Sequence, residues 1–326
     1  MRSALLAALA LTLTAAACGG SDSAGSDAAG TGPSSSSPSP SSPAQLRQLD
    51  DGAVGVADVG GQAWLVQPEA GTVLPGDGDP IKVGNAPLRI VETPDGVWVS
   101  VIRDGSVVRI DPTTHEVTTF RLKSAGSEPE GLAWDGRHLW VVDQAGGRVV
   151  EADGNGRVVG SYDTDDAPRL VAAGDHGVWV TNYYGGSVSR VAGGRVRTEP
   201  LDGCSGPQGV AEVAGRVWVS CTLTGSAVAL DARTMDQVAE VPDLPDADAV
   251  VAHGDTVYVV GQSGPTVYVV DAVSGTLLDT VPLDDAPRTS ENVGAAVVGD
   301  DLVVTHPDAR TVYRIPLSAL VTTVAP

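Results

Sequence analysis

The sequence predicts an all-β fold, a seven-bladed β-propeller built from four-stranded antiparallel blades. Seven copies of a short hydrophobic strand, six of them centred on an aromatic residue, follow one another at intervals of about 40 residues, which is typical of propeller blades. A proline and an aspartate keep step with this strand in several copies. The apolar runs are short, β-branched and bounded by glycine, and no stretch has sustained helical periodicity.

The repeat is defined by three positions in fixed register. The strand centres are Trp64, Trp98, Trp140, Trp179, Trp218, Tyr258 and Val303. Eleven residues before the centre stand Pro87, Pro129, Pro168 and Pro207, and thirteen residues after it stand Asp77, Asp111, Asp153, Asp231 and Asp271. We expect the proline before the first strand, where its missing N–H costs no ladder bond. The aspartate should accept backbone N–H groups in the third turn, and the aromatic rings should pack between blades.

One copy shows all four strands of a blade. Turn sequences rich in glycine separate the predicted strands 169–173, 177–182, 187–191 and 195–200. The sequence leaves open whether residues 46–51 add a strand that closes the ring.

The N-terminal residues predict export and a lipid anchor. Residues 1–17 combine Arg2 with an uncharged apolar run, as in a signal peptide. The run ends at Cys18 in a pattern that resembles a bacterial lipobox, which implies lipidation of Cys18. Residues 18–45, rich in serine, proline and glycine, are expected to form a disordered tether, followed by a propeller over 46–326. We therefore predict a monomer outside the cytoplasm, attached to the membrane only through the lipid. Ordinary secretion is the alternative.

Charge and motifs exclude several classes of function. The chain has 41 acidic against 20 basic residues, a net charge of −21, which disfavours nucleic acid as a partner. It contains no H-E-x-x-H, paired C-x-x-C, G-x-S-x-G or G-x-x-x-x-G-K motif. No catalytic residue and no cofactor is predicted.

Parts of the repeat resemble known bacterial propellers. Residues 179–188, WVTNYYGGSV, resemble the YVTN-type repeat, while 128–133 and 206–211 resemble streptogramin-lyase and NHL propellers. The resemblance covers about residues 50–320 and implies the propeller fold. Because such repeats serve binding proteins and enzymes alike, it leaves the function open.

The repeat register also maps the mouth of the central channel. The position after the phased proline is occupied by Val54, Leu88, Glu130, Arg169, Gln208, Asp248 and Val293, with Arg89 one residue further. The matching position of the second loop includes Asn182 and His306, and Tyr183 and Tyr184 follow with rings that could stack on a ligand. The predicted ligand-binding residues are Arg89, Glu130, Arg169, Gln208, Asp248, Asn182, Tyr183, Tyr184 and His306. A ring of mutually satisfied ion pairs and waters is the alternative interpretation.

Cys204 and Cys221 are the only cysteines besides Cys18. Their places in the repeat put both on the same face of the propeller, so a disulfide is expected in an oxidising compartment.

These patterns favour a tethered module that binds a small molecule or an envelope protein through its channel face. The alternative is a metal-assisted lyase or lactonase acting on a cyclic ester in the channel. It would place Ca²⁺ or Mg²⁺ at the mouth, on Glu130, Asp248, Asn182 or Asp143. Lyase chemistry of the kind that the resemblance implies also needs a histidine facing a glutamate, for which His306 with Glu291 or Glu130 is the candidate. A purely structural envelope module is the third possibility.

Overall fold

A computed structural model describes residues 43–122 and 126–320 and contains 28 strands there. The first half of the described chain holds β1 (Gln45–Gln48), β2 (Gly55–Val59), β3 (Gln62–Gln67), β4 (Thr72–Pro75), β5 (Ile81–Lys82), β6 (Pro87–Thr93), β7 (Gly96–Val101), β8 (Ser106–Ile110), β9 (Val117–Arg121), β10 (Pro129–Trp134), β11 (Leu139–Asp143), β12 (Arg148–Ala152), β13 (Val158–Asp163) and β14 (Pro168–Gly174). The second half holds β15 (Gly177–Asn182), β16 (Ser187–Ala192), β17 (Arg195–Pro200), β18 (Pro207–Val213), β19 (Arg216–Cys221), β20 (Ser226–Asp231), β21 (Gln237–Val241), β22 (Ala247–His253), β23 (Thr256–Gly261), β24 (Thr266–Asp271), β25 (Leu277–Pro282), β26 (Ala295–Val298), β27 (Asp301–His306) and β28 (Thr311–Pro316). The helical elements are a 3-10 turn, Ile102–Asp104, and α1 (Leu317–Leu320).

These strands form seven four-stranded antiparallel sheets, which confirms the predicted seven-bladed propeller. Blades 1 to 6 take consecutive strands: β2–β5, β6–β9, β10–β13, β14–β17, β18–β21 and β22–β25. Blade 7 has the order β1-β28-β27-β26, so its outermost strand comes from the other end of the chain. Gln45 lies opposite Arg314 in this pairing. The question that the sequence left open is answered, because a strand near residue 46 closes the ring.

Blade 4 agrees with the sequence prediction to within one residue at each strand end. The register of β14 against β15 shifts just after Pro168, which begins the strand and lies opposite Asn182. Four of the five phased aspartates have the expected role, as at Asp231, whose Oδ1 accepts the N–H groups of Arg233 and Thr234, each at 2.9 Å. These hydrogen bonds hold the pKa of Asp231 below its usual value. Asp77 instead is exposed and pairs with Arg47 at 3.4 Å.

The phased tryptophans are buried between neighbouring blades, as predicted. Trp98 of blade 2 packs in one cluster with Leu139 and Val141 of blade 3. Trp179 of blade 4 packs with Val217 of blade 5 in another. Because a single blade cannot cover both of its own faces, closure of the ring buries the indole rings that an isolated blade would expose.

Glycines in the first strands let neighbouring blades approach closely. An added Cβ would lie 2.4 Å from a backbone carbonyl oxygen of the next blade at Gly55, 2.7 Å at Gly131 and 2.3 Å at Gly209. At Gly209 that oxygen belongs to Asp248. Only a residue without a Cβ fits there.

Gly209→Ala should therefore lower the free energy of unfolding by about 1–3 kcal/mol, the usual cost of overpacking. Chemical denaturation of the purified protein measures this change. Ala249→Gly is the matched control, since Ala249 holds the equivalent position in blade 6 and its change adds space. Equal stabilities of Gly209→Ala and the wild type would show that the blades can move apart freely.

None of the helices in residues 43–122 and 126–320 has the length and apolarity needed to cross a membrane. The expected signal peptide 1–17, Cys18 and the expected tether up to residue 42 lie outside the described residues.

Candidate functional site

The first strands of the blades bring the predicted channel residues together. Glu130, Arg169, Gln208 and Asp248 lie at the starts of β10, β14, β18 and β22. One cavity of about 520 Å³ is lined by residues that include Val54, Leu88, Arg89, Glu130 and Arg169. A neighbouring cavity of about 390 Å³ is lined by Gln208 and Tyr183, among others. The mouth of the channel is therefore open and lined by both polar and apolar side chains.

Arg169 is held between a carboxylate and an aromatic ring. Its Nη1 lies 3.4 Å from Glu130 Oε2, and its Cζ lies 5.1 Å from the centre of the Tyr183 ring. Burial raises the pKa of Glu130, although the charges of Arg169 and Arg89 oppose the rise. This ion pair closes part of the channel wall, and it leaves Arg169 Nε unused.

Asp248 is a fully buried carboxylate on the other side of the channel. Its Oδ2 accepts the N–H of Val293 at 2.7 Å and the amide of Gln262 at 3.0 Å. Burial raises the pKa of Asp248 from 3.8 to about 6, against the charge of Arg89 and these hydrogen bonds. The carboxyl group therefore changes charge in a mildly acidic solution.

The raised pKa of Asp248 predicts a pH-dependent stability. Since the folded state holds this proton more tightly than the unfolded state, its contribution is complete below pH 3.8 and is lost as the pH rises through 6. The loss amounts to about 3 kcal/mol. Asp248→Asn should remove this dependence, so that the variant is more stable than the wild type at pH 7.5.

Denaturant unfolding at pH 4.5 and 7.5 measures the effect. Asp236→Asn, a change of an exposed carboxylate, is the control and should leave the wild-type profile unchanged. An Asp248→Asn variant with the same pH profile as the wild type would contradict the prediction.

Three buried donors at the channel have no hydrogen-bond partner among the described residues: Arg89 Nε, Arg169 Nε and Gln208 Nε2. Gln208 is only 2% exposed. Arg89 donates through Nη1 to Val54 O at 3.3 Å, and within the described parts of the chain it forms no ion pair. Because an unsatisfied buried donor costs free energy, these groups are suited to a molecule that brings acceptor oxygens.

Asn182, predicted as a ligand-binding residue, is instead buried in its own blade. It is fully inaccessible, and its amide donates to Ser187 Oγ and Ser189 Oγ, both at 3.0 Å. Its Oδ1 accepts the N–H of Asp165 at 3.3 Å. The side chain therefore stabilises the loop and does not face the channel mouth.

His306, also predicted as a ligand-binding residue, has both of its ring nitrogens engaged. It is fully buried, its Nε2 lies 3.0 Å from Pro287 O, and its Nδ1 accepts the N–H of Ala309 at 3.1 Å. A carbonyl oxygen can only accept, so Nε2 is the donor in the contact with Pro287. Neither nitrogen is available to face Glu291 or Glu130 as an acid or a base.

Of the residues proposed for a metal at the mouth, Asp143 has its carboxylate engaged by neighbouring groups. Asp143 accepts from Ser127, from the N–H groups of Glu128 and Gly146, and from Arg148 at 2.7 Å. Within 43–122 and 126–320, no three His, Cys, Asp or Glu side chains are grouped so that they could hold a metal ion.

A set of hydroxyl groups that the sequence reasoning missed holds the channel residues in place. Ser100, Thr181 and Ser220 donate to the backbone oxygens of Glu130 (2.7 Å), Gln208 (2.8 Å) and Asp248 (2.5 Å) in the next blade. Each stands two residues after a phased tryptophan. In other blades this position of the buried second strand is valine. A serine or threonine there could have been recognised from the sequence as a residue with a hydrogen-bonding role.

The second loops of blades 4 and 5 carry an exposed apolar surface, the aromatic shelf, formed by Tyr183, Tyr184 and Leu223. The two tyrosine rings meet edge to face with centres 5.4 Å apart. Beside them Cys204 and Cys221 form a disulfide, the pairing that the sequence predicts.

Two other histidines, each in the turn between the first and second strands of its blade, pair with glutamates. These turns lie at the end of the blades away from the channel mouth. His138 Nδ1 lies 2.8 Å from Glu151 Oε1, and His176 Nδ1 lies 2.5 Å from Glu212 Oε1. Trp179 Nε1 donates to the second oxygen of Glu212 at 2.7 Å. These pairs join neighbouring strands and blades.

Comparison with known proteins shows a likeness to streptogramin-lyase propellers. A virginiamycin B lyase of Nocardia farcinica is 32% identical over 185 residues, which is 56% of this chain. The alignment spans 61% of the length of that relative. No protein-family model matches the chain.

Solved structures share the fold. The virginiamycin B lyase of Staphylococcus aureus has a TM-score of 0.72 at 15% identity, covering 83% of this chain and 98% of that one. A catalytically inactive histidine-to-alanine variant of that lyase with quinupristin has a TM-score of 0.70 at 15% identity, covering the same shares. BamB of Moraxella catarrhalis has a TM-score of 0.57 at 17% identity, covering 83% and 95%. The resemblance to bacterial propellers that the repeat motifs indicated is confirmed.

Proposed function

We propose that this chain is a binding module that takes a small molecule with acceptor oxygens at the mouth of its channel. The three unpartnered donors of Arg89, Arg169 and Gln208 carry this proposal. Two of them belong to guanidinium groups, which form strong hydrogen bonds to carboxylate and carbonyl oxygens. The open cavities beside these donors are large enough for a compact ligand.

We further propose that the module works outside the cytoplasm, tethered through Cys18. The apolar run that ends at Cys18 and the serine- and proline-rich segment after it support this location. The Cys204–Cys221 disulfide is compatible with an oxidising compartment. A tether of this length would keep the channel face accessible to solutes in the envelope.

A lyase acting on a cyclic ester is the second candidate function, favoured by the likeness to virginiamycin B lyases. The inactive variant of the staphylococcal enzyme lacks a histidine. In this chain both ring nitrogens of His306 are occupied, and the repeat places no histidine after the phased prolines. The geometry of the channel therefore favours binding over elimination.

Binding to the channel is tested by thermal shift and calorimetry with a panel of carboxylates, amides and lactones. We expect at least one class to bind, and Gln208→Ala to weaken that binding about tenfold or more, as loss of a buried hydrogen bond predicts. Gln62→Ala, an exposed glutamine, is the matched control. Binding that is unchanged in Gln208→Ala would contradict the proposal, and chromatographic conversion of quinupristin by the wild type would favour the lyase.

A further inference from the structure

We propose that the ligand of the channel face is an aromatic carboxylate, with its ring on the aromatic shelf and its carboxylate at Arg169 and Gln208. This inference rests on the proposed function, since it names the class of molecule that the channel donors receive.

The aromatic shelf is unusually exposed for apolar side chains. Tyr184 is 72% exposed and Leu223 is 59% exposed. Leu223 and Tyr183 meet at Gly206, where an added Cβ would lie 2.8 Å from Leu223 Cγ and 3.1 Å from the Tyr183 ring, and Tyr184 extends the surface beyond Tyr183. The three side chains thus form one continuous apolar surface. An aromatic ring placed on it would bury area on both partners and gain edge-to-face contacts.

The backbone that carries Leu223 is held in place before any ligand arrives. The N–H of Thr222 donates to Gly206 O and the N–H of Leu223 donates to Ser205 O, both at 3.0 Å. The Cys204–Cys221 disulfide links the same two segments. Because the loop is already ordered, binding costs little conformational entropy there. Most of the favourable free energy of the contact with a ring therefore contributes to affinity.

The shelf borders the unpartnered donors. Tyr183 lines the same cavity as Gln208, and its ring lies against the Arg169 guanidinium at 5.1 Å. A molecule whose ring covers Tyr183 and Tyr184 would therefore place a substituent of the ring within reach of these donors.

Charge favours a carboxylate over a neutral carbonyl at this position. Arg169 has one ion-pair partner, Glu130, and Arg89 has none among the residues that the structure describes. In the cavity that Tyr183 and Gln208 line, Asp308 is the one carboxylate among the described residues, and it accepts from Ser290 at 2.7 Å. Arg288 lines the same cavity, whereas Glu69, Glu128 and Glu291 line the neighbouring one. A carboxylate brings two acceptor oxygens and balances one guanidinium charge.

Calorimetry on the full-length protein with three matched probes tests this inference. N-acetyl-L-phenylalanine carries both features, N-acetyl-L-alanine lacks the ring, and N-acetyl-L-phenylalaninamide lacks the charge. We expect N-acetyl-L-phenylalanine to bind about tenfold more tightly than either of the other two, since one stacking contact or one charged hydrogen bond has about this effect.

Variants of exposed residues locate the ring. Tyr184→Ala combined with Leu223→Ala should remove most of the advantage of N-acetyl-L-phenylalanine over N-acetyl-L-alanine and leave the affinity for N-acetyl-L-alanine unchanged. Val196→Ala, an exposed apolar residue on the outer strand β17, is the matched control and should change neither affinity. Circular dichroism verifies that all variants remain folded.

Three results would overturn the inference. Equal affinities for N-acetyl-L-phenylalanine and N-acetyl-L-alanine would exclude a contact between the ring and the shelf. Equal affinities for N-acetyl-L-phenylalanine and its amide would exclude recognition of the carboxylate. If no probe binds, both contacts are excluded. If Gln208-dependent binding of another class in the wider panel persists in that last case, the proposed binding function stands and only the aromatic carboxylate is excluded.

Discussion

Trp179→Ala should lower the free energy of unfolding by about 3–5 kcal/mol, the range for loss of a buried tryptophan. The indole is fully buried between blades 4 and 5, in a cluster with Leu230 and Met235. Its Nε1 donates to Glu212 at 2.7 Å, and the Arg190 guanidinium lies 5.5 Å from the ring centre. The alanine variant loses this packing and leaves Glu212 with one donor fewer.

A pair of phenylalanine variants separates packing from hydrogen bonding. Trp98 is equally buried, yet its Nε1 has no hydrogen-bond partner in the described residues. Trp98→Phe therefore loses volume alone, whereas Trp179→Phe also loses the bond to Glu212. Denaturant unfolding should show Trp179→Phe to be the less stable of the two by about 1–3 kcal/mol. Equal stabilities would mean that the Glu212 contact contributes nothing.

Asp143→Ala should also cost about 3 kcal/mol or more, because it removes a buried acceptor of several hydrogen bonds, among them the ion pair with the half-buried Arg148. Asp143 is fully buried, and its oxygens accept from Arg148 Nε at 3.0 Å and Nη2 at 2.7 Å. The N–H groups of Glu128 and Gly146 lose their acceptor in the same change. The second loop of blade 3 should open, which protease sensitivity after residue 143 would reveal.

The control for Asp143→Ala is Glu199→Ala, which breaks the exposed pair with Arg197 and should cost less than about 1 kcal/mol. Both variants are compared by denaturant unfolding with and without added Ca²⁺. If Asp143→Ala kept the wild-type stability in the absence of Ca²⁺ and lost only a stabilisation by that ion, Asp143 would be a metal ligand and the structural role would be wrong.

The sequence predicted the blades well because strand patterning and turn residues are local. The four strands of blade 4 needed only short β-branched runs and glycine-rich turns. The repeat register placed Glu130, Arg169, Gln208 and Asp248 at the strand starts, where the structure has them. Ring closure could not be predicted in this way. It depends on the pairing of Gln45 with Arg314, which lie at opposite ends of the described chain.

Whether an individual polar side chain faces the cavity or forms hydrogen bonds within its blade was harder to predict. Asn182 and Arg169 both occupy positions that the repeat assigns to the channel mouth, and only Arg169 faces the cavity. The difference arises from neighbours such as Ser187 and Asp165, which satisfy Asn182 within the blade. Such partners are recognised from three-dimensional proximity. By contrast, the hydroxyl of Ser220 follows the repeat register and was recognisable.

The shared sheet of blade 7 has a mechanical consequence. If the chain is anchored through Cys18, any tension from the membrane reaches the folded part at Gln45, and four residue pairs between β1 and β28 bear it first. Detachment of those pairs would leave the last sheet with three strands, held in the ring only by its packing against blades 1 and 6. Tension on the anchor would thereby act on the stability of the ring through the four residue pairs of β1 with β28.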